Sequence, residues 1–167
     1  MQGEFYFMAI GGLGVTLAGF AGLIAALERR EGGHSPVAAW RIRNVVYQGF
    51  AVTFSGFATV ALYTITQDVP LTVRLATIGT VLMSAASWRS MLPSAAWPDE
   101  RRRRAAIFIV VAINAAALVN IALASVGYLQ LLLLLWLTGP ASTFMAAVAD
   151  VSQGDAYPAN GTEESKV

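Results

Sequence analysis

Apolar and polar positions in this chain fall into long blocks rather than alternating as they would along a half-buried strand or helix. Apolar runs cover 5–27, 45–66 and 71–88. A longer one extends from Ala105 to Ala149 without an Asp, Glu, Lys, Arg or His. A helix needs about 20 residues to cross the hydrocarbon core of a bilayer. The first three runs therefore predict one span each, and the last predicts two. The predicted break within it is Ser125-Val126-Gly127-Tyr128, because glycine accepts the dihedrals of a tight turn. The pattern predicts an all-α, polytopic transmembrane helix bundle of five spans, near 5–27, 45–66, 71–88, 105–125 and 128–149. The alternative is four spans, with part of the last run re-entrant or interfacial. The tail, 150–167, is polar and mildly acidic and is expected to be disordered and cytoplasmic.

Several boundaries carry helix punctuation. Ser35-Pro36 fits an N-cap followed by proline at the first helical position, so helix 2 is expected to start ahead of the membrane and carry Trp40, Arg41 and Arg43 to the interface. Asp68-Val69-Pro70 is a candidate opening for helix 3. Pro98-Asp99-Glu100 places acids at the positive end of helix 4. The first run is expected to be retained rather than cleaved as a signal peptide. Its start lacks a basic residue, and its core exceeds the usual 7–15 residues of a signal sequence.

Composition narrows the chemistry. Charged residues make up 13% of the chain, about half the usual share in a soluble domain. With no cysteine and a single histidine, His34, thiolate metal sites, iron–sulfur clusters, disulfides and multi-histidine centres are excluded. No cofactor is expected, and no nucleophile–base constellation points to an enzyme. His34 sits in a Gly-Gly-His-Ser-Pro turn and reads as a solvated loop residue.

Charge sets the expected topology. Nine of the 11 basic residues flank two connections: Arg29, Arg30, Arg41 and Arg43 lie between helices 1 and 2, and Arg89 with Arg101 to Arg104 between helices 3 and 4. Basic residues in short loops are retained in the cytoplasm. The N-terminus is then expected outside and the C-terminus inside, in a bacterial cytoplasmic membrane. Arg74 is assigned to the outer end, and Trp40, Trp88 and Trp97 to an aromatic belt at the inner one. Arg41, Arg43, Arg101, Arg102, Arg103 and Arg104 are candidate contacts for anionic lipid headgroups, each worth about 1 kcal/mol near an anionic leaflet. Nucleic acid is not an expected partner, because no aromatic stacking surface accompanies these arginines.

Within the spans, Gly14, Ala18, Gly22 and Ala26 recur every fourth residue on helix 1, a candidate close-packing stripe. Its partner is expected to be another helix of the chain or a second membrane protein. Asn44, Gln48, Ser55, Thr59 and Thr66 share a face of helix 2, and Thr77, Thr80, Ser84 and Ser87 a face of helix 3. Asn114, Asn120 and Gln130 are expected to bond across the helix 4–helix 5 interface. These polar groups join helices on one reading and line a pathway for a small solute or ion on another. Gly139-Pro140 falls within helix 5, where proline leaves the Trp136 carbonyl without its helical donor.

Thr16-Leu17-Ala18-Gly19-Phe20-Ala21-Gly22-Leu23, Ser35-Pro36, Arg41-Ile42-Arg43-Asn44, Gly127-Tyr128-Leu129 and Trp136 together resemble a group of small, uncharacterised bacterial polytopic membrane proteins. That resemblance implies about five spans and brings no assigned activity, so no functional residue is carried over. The expected function is a structural or partner-binding role in the inner membrane. The alternative is a passive channel or transporter, formed by one copy or by an oligomer.

Overall fold

A computed structural model describes residues 3–28, 36–91 and 100–154. It contains five helices: α1 (Glu4–Glu28), α2 (Pro36–Thr66), α3 (Val69–Met91), α4 (Glu100–Leu123) and α5 (Val126–Gly154). Each holds a segment long and apolar enough to cross a membrane. The chain is therefore an all-α, five-helix protein of multi-pass membrane type. α2 starts at Pro36, well ahead of its apolar run, as the proline punctuation predicts. α5 continues to Gly154, past the expected start of the polar tail.

α2 is the hub, packing against α1, α3 and α5. Half of its membrane segment is buried (50%), against 11% for α4, which lies at the edge of the bundle against α3 and, less extensively, α5. Phe7 and Ile10 of α1, Val52 of α2, Val73 of α3, and Leu129, Leu133 and Trp136 of α5 form the main core. Phe108, Leu118 and Leu123 of α4 point outward, as side chains facing lipid do.

The tightest packing joins α1 to α2 and depends on missing side chains. A Cβ on Gly14 would come within 2.5 Å of the Gly49 carbonyl oxygen, and one on Gly49 within 2.7 Å of the Gly14 oxygen. A Cβ on Gly56 would meet the Phe7 carbonyl oxygen at 2.6 Å. The two backbones are thus nearly in contact, and the Thr53 hydroxyl bridges them, 2.9 Å from the Gly11 carbonyl and 2.9 Å from that of Gly49 on its own helix.

This contact takes up only half of the stripe expected on α1. Gly14 and Ala18 are buried, but Gly22 and Ala26 are exposed, and nothing stands within 4 Å of a Cβ built on Gly22. The reason is helical pitch: four residues overshoot one turn by about 40°, so a strict fourfold repeat winds off the interface. The buried line instead alternates steps of four and three, through Phe7, Gly11, Gly14, Ala18 and Ala21.

Two short turns are built alike. α2 and α4 each end in one left-handed residue, Gln67 (φ 53°) and Ala124 (φ 50°). A capping residue follows each: Asp68 Oδ1 accepts the Leu71 amide at 2.9 Å, and Ser125 Oγ accepts that of Tyr128 at 3.3 Å. The second turn corrects the expected break. The chain reverses at Ala124-Ser125, while Gly127 lies within α5.

Gly49→Leu is expected to cost about 1–3 kcal/mol by overpacking the α1–α2 contact. Gly22→Leu should leave stability close to wild type. Thermal melts of the two variants in one detergent check this, and equal losses would contradict it.

Candidate functional site

The residues with most chemistry to offer form a polar seam through the apolar bundle, from the short-turn end towards the end that carries the arginines. At the first end, the Thr66 and Thr72 hydroxyls pair at 2.7 Å across the α2–α3 turn. Thr72 also donates to the Asp68 carbonyl at 2.6 Å. Deeper in, Thr59, Thr77 and Thr80 donate to the carbonyls four residues before them, Ser55, Val73 and Ala76, at 2.7, 2.7 and 2.9 Å. A hydroxyl that donates backwards in this way keeps its lone pairs for a neighbouring helix.

Asparagines on α4 use those lone pairs. Asn120 Nδ2 donates to Thr77 Oγ1 at 3.2 Å, and Asn114 Nδ2 to Ser84 Oγ at 2.8 Å. Both rungs run from α4 to α3, which corrects the α4–α5 pairing expected from sequence. Gln130 turns instead to the start of the chain. Its side-chain Nε2 lies 3.5 Å from the Gly3 carbonyl, and its backbone carbonyl accepts the Tyr6 hydroxyl at 2.9 Å.

Asn120 has a second task. Its carbonyl accepts the Ala124 amide at 2.8 Å, and its Oδ1 accepts the Ser125 amide at 3.1 Å. A non-glycine residue in the left-handed region costs roughly 1–2 kcal/mol. Here the turn is held by three bonds through one fully buried asparagine, the third being the rung to α3.

On α2, Asn44, Gln48, Ser55 and Thr59 are all buried. Gln48 Nε2 donates to Asn44 Oδ1 at 3.1 Å, and Ser55 Oγ lies 3.8 Å from the Met83 sulfur on α3. The Gln48 carboxamide reaches across to α5, where its Oε1 sits 2.9 Å from the Cβ position of Gly139. Pro140, next in the chain, is fully buried. Thr53 and Thr72 also belong to the buried polar set. Sequence reasoning missed both, because Thr53 faces α1, away from the polar face of α2, and Thr72 lies one turn before the hydroxyl face of α3. The Ser87 side chain lies outside the described residues.

At the arginine-bearing end, Glu100 opens α4 and takes two partners a turn away, Arg103 Nη1 at 2.7 Å and Arg104 Nε at 3.2 Å. The hydrogen bonds from Arg104 and then Arg103 hold its carboxyl below the usual carboxylate range. A lowered folded-state pKa means that the pairing is fully present above the ordinary carboxylate pKa. It is lost as pH falls through the lowered value. Arg101 and Arg104 are exposed, as is Arg43, while Arg41 and Arg103 are half-buried. The Nε of Arg103 is shielded from solvent with no hydrogen-bond partner. Trp40 is buried in the bundle rather than turned outward as a belt residue would be. The side chains of Arg102 and Trp88, and Trp97 and His34 altogether, lie outside the described residues.

Chemically, the seam is a set of neutral donors and acceptors. Among the described residues no group of three His, Cys, Asp or Glu side chains comes together to hold a metal ion. These hydrogen bonds join helices to each other and to turns.

Asn120→Leu is expected to cost about 1–3 kcal/mol, because it removes the rung to α3 and orphans the Ser125 amide. Ala124→Gly should stabilise by up to about 1 kcal/mol by relieving the left-handed residue. Paired thermal melts check the opposite signs.

Comparison of the chain with protein-family models, with curated proteins and with solved structures gave no match.

Proposed function

We propose that this chain is a small bacterial inner-membrane protein with a structural or partner-binding role, its N-terminus outside and its C-terminus in the cytoplasm. The observation that carries the reading is the internal closure of the seam. Thr77, Ser84, Asn114 and Asn120 bond to one another, to helix carbonyls and to the Ser125 amide of the α4–α5 turn. A solute pathway needs donors and acceptors that can be offered to the solute, whereas these groups bind the helices together. The orientation rests on the arginines, which favour the cytoplasmic side. Anionic headgroups suit the same end, because a phosphate would meet the exposed Arg101 and Arg104.

Three measurements test this proposal. Purified protein in sealed liposomes is expected to give no flux of small solutes or monovalent ions above protein-free vesicles, and reproducible flux would replace the structural role with a channel. Reporter fusions after Gly32, Asp68, Ala96 and Ala124 and at the C-terminus should read in, out, in, out, in. A C-terminal reporter outside would reject the orientation. Glu100→Gln releases Arg103 and Arg104 from their intramolecular partner. Retention of anionic lipid in native mass spectra should therefore rise, and unchanged retention would remove these arginines from the headgroup site.

A further inference from the structure

Gly139-Pro140 sits deep in the bundle, roughly 20 Å along α5 from its start at Val126. The hydrocarbon core of a bilayer is about 30 Å thick, so bulk water does not reach this level from either side. α5 continues through the proline as one helix, yet Pro140 brings no N–H to the Trp136 carbonyl. The nearest hydroxyls on α5 are committed to other carbonyls. Thr138 donates to that of Leu135 at 2.6 Å, and Ser142 and Thr143 both donate to that of Gly139 at 2.9 Å. Thr138 and Ser142 also show that a side chain in this helix lies beside the carbonyl three residues before it. The side-chain space of Gly139 therefore adjoins the Trp136 carbonyl.

What faces that space is a second acceptor. Gln48, 1% exposed, reaches across from α2 and places Oε1 2.9 Å from the Cβ position of Gly139. Its donor end is engaged on its own helix, where Nε2 bonds Asn44 Oδ1 at 3.1 Å. Two carbonyl oxygens thus approach one small space, and neither can donate to the other. An acceptor without a donor is costly in hydrocarbon. Gly139 is only half-buried, although Pro140 beside it is fully buried. The missing side chain therefore leaves room at the backbone for a small molecule.

We infer that this space is a binding site for one buried water, which donates one hydrogen to Gln48 Oε1 and the other to the Trp136 carbonyl. A water at hydrogen-bond distance from both can join oxygens up to about 5.6 Å apart. Two polar partners are enough to hold it. Sodium fits the same oxygens less well, because it would carry a full charge into hydrocarbon against neutral ligands. The four apolar runs contain no Asp or Glu to balance it. The water supplies the donor that proline withholds and makes the α2–α5 crossing a polar joint without a direct bond between the two helices.

Water-edited solid-state NMR of the full chain in lipid bilayers tests the site. Transfer of magnetisation from water is expected at the Gly139 Hα and at Gln48 Nε2. Gly79, the glycine of α3 with open space at its Cβ position, should stay dry at the same mixing time. Pro140→Ala gives the Trp136 carbonyl its helical donor and leaves the water one partner, so transfer to residue 139 should be lost. The Ser142 and Thr143 hydroxyls remain in that variant, and transfer that persists through them would overturn the site. Gly139→Ala puts a methyl into the space and should abolish transfer to Gln48 Nε2. It takes the place of Pro140→Ala if that variant does not fold, and wild-type transfer in it would count against the proposal equally. No transfer in the wild type, as direct packing of Gln48 on α5 would give, overturns the proposal, and so does transfer to Gly79 equal to that at Gly139. Thermal melts in sodium chloride and in choline chloride separate water from a cation. Equal midpoints are expected. A sodium-dependent rise present in the wild type and lost in Gly139→Ala would overturn water as the occupant.

Discussion

Inside hydrocarbon a polar group can bond only to the protein, and this constraint orders the rest of the structure. Helix formation closes most backbone groups, but it leaves the ends of each helix, the carbonyl before Pro140 and every buried amide and hydroxyl to be satisfied. The chain meets these demands with few residues that serve twice. Asn120 joins α4 to α3 and also caps the turn into α5. Thr53 bridges α2 to α1 where glycines bring the backbones together. Such economy explains why polar residues are sparse yet buried, and why each interhelical bond, worth only about 0.6 kcal/mol on average in membrane proteins, falls at a junction where packing already holds the helices.

The five helices could be read from sequence because lipid imposes a length. Runs such as 71–88 and the unbroken stretch from Ala105 to Ala149 fit one and two crossings. Asp68 and Pro36 marked helix starts through local chemistry that does not depend on the fold. What could not be read was adjacency. Asn114 and Asn120 need partners whatever the fold, but only the packing of α4 against α3 decides that these are Ser84 and Thr77. The same limit applied to α1. A fourfold small-residue repeat is visible in the sequence, whereas the true seam through Gly11, Gly14 and Ala18 depends on where α2 presents Gly49 and Gly56. The reversal at Ala124 was hidden for a related reason. Glycine is the usual left-handed residue, and Ala124 takes its place only because Asn120 holds the turn from outside it.

α4 illustrates how little is needed to keep a helix in place when lipid is the solvent. In water an element only 11% buried across its span would expose too much apolar surface to survive. In a bilayer that surface costs nothing, and association falls to close packing and a few polar rungs. Asn114 and Asn120, six residues apart, meet Ser84 and Thr77, seven apart, as two antiparallel helices crossing at a shallow angle would. The opposite end of α4 is charged, yet Glu100 takes two of its arginines, leaving Arg101 outward and Arg103 Nε shielded but unbonded. The helix is thus fastened by side-chain polarity within the bundle and presents charge at its boundary.

The two ends of the bundle differ in how they are held. At the short-turn end, two capped reversals, the Thr66–Thr72 pair and the bonds joining Tyr6, Gln130 and Gly3 tie all five helices within a few residues of the boundary. At the arginine-bearing end, Ala21, Ile42, Val45 and Phe144 form a second apolar cluster among α1, α2 and α5. Apolar contacts have no preferred direction and tolerate sliding, whereas a capped turn does not. Gly139-Pro140 falls between the two regimes, with Gln48 opposite it. Glycine at 139 admits the Gln48 carboxamide beside the α5 backbone, so the helix that carries the proline is held there against the hub of the bundle.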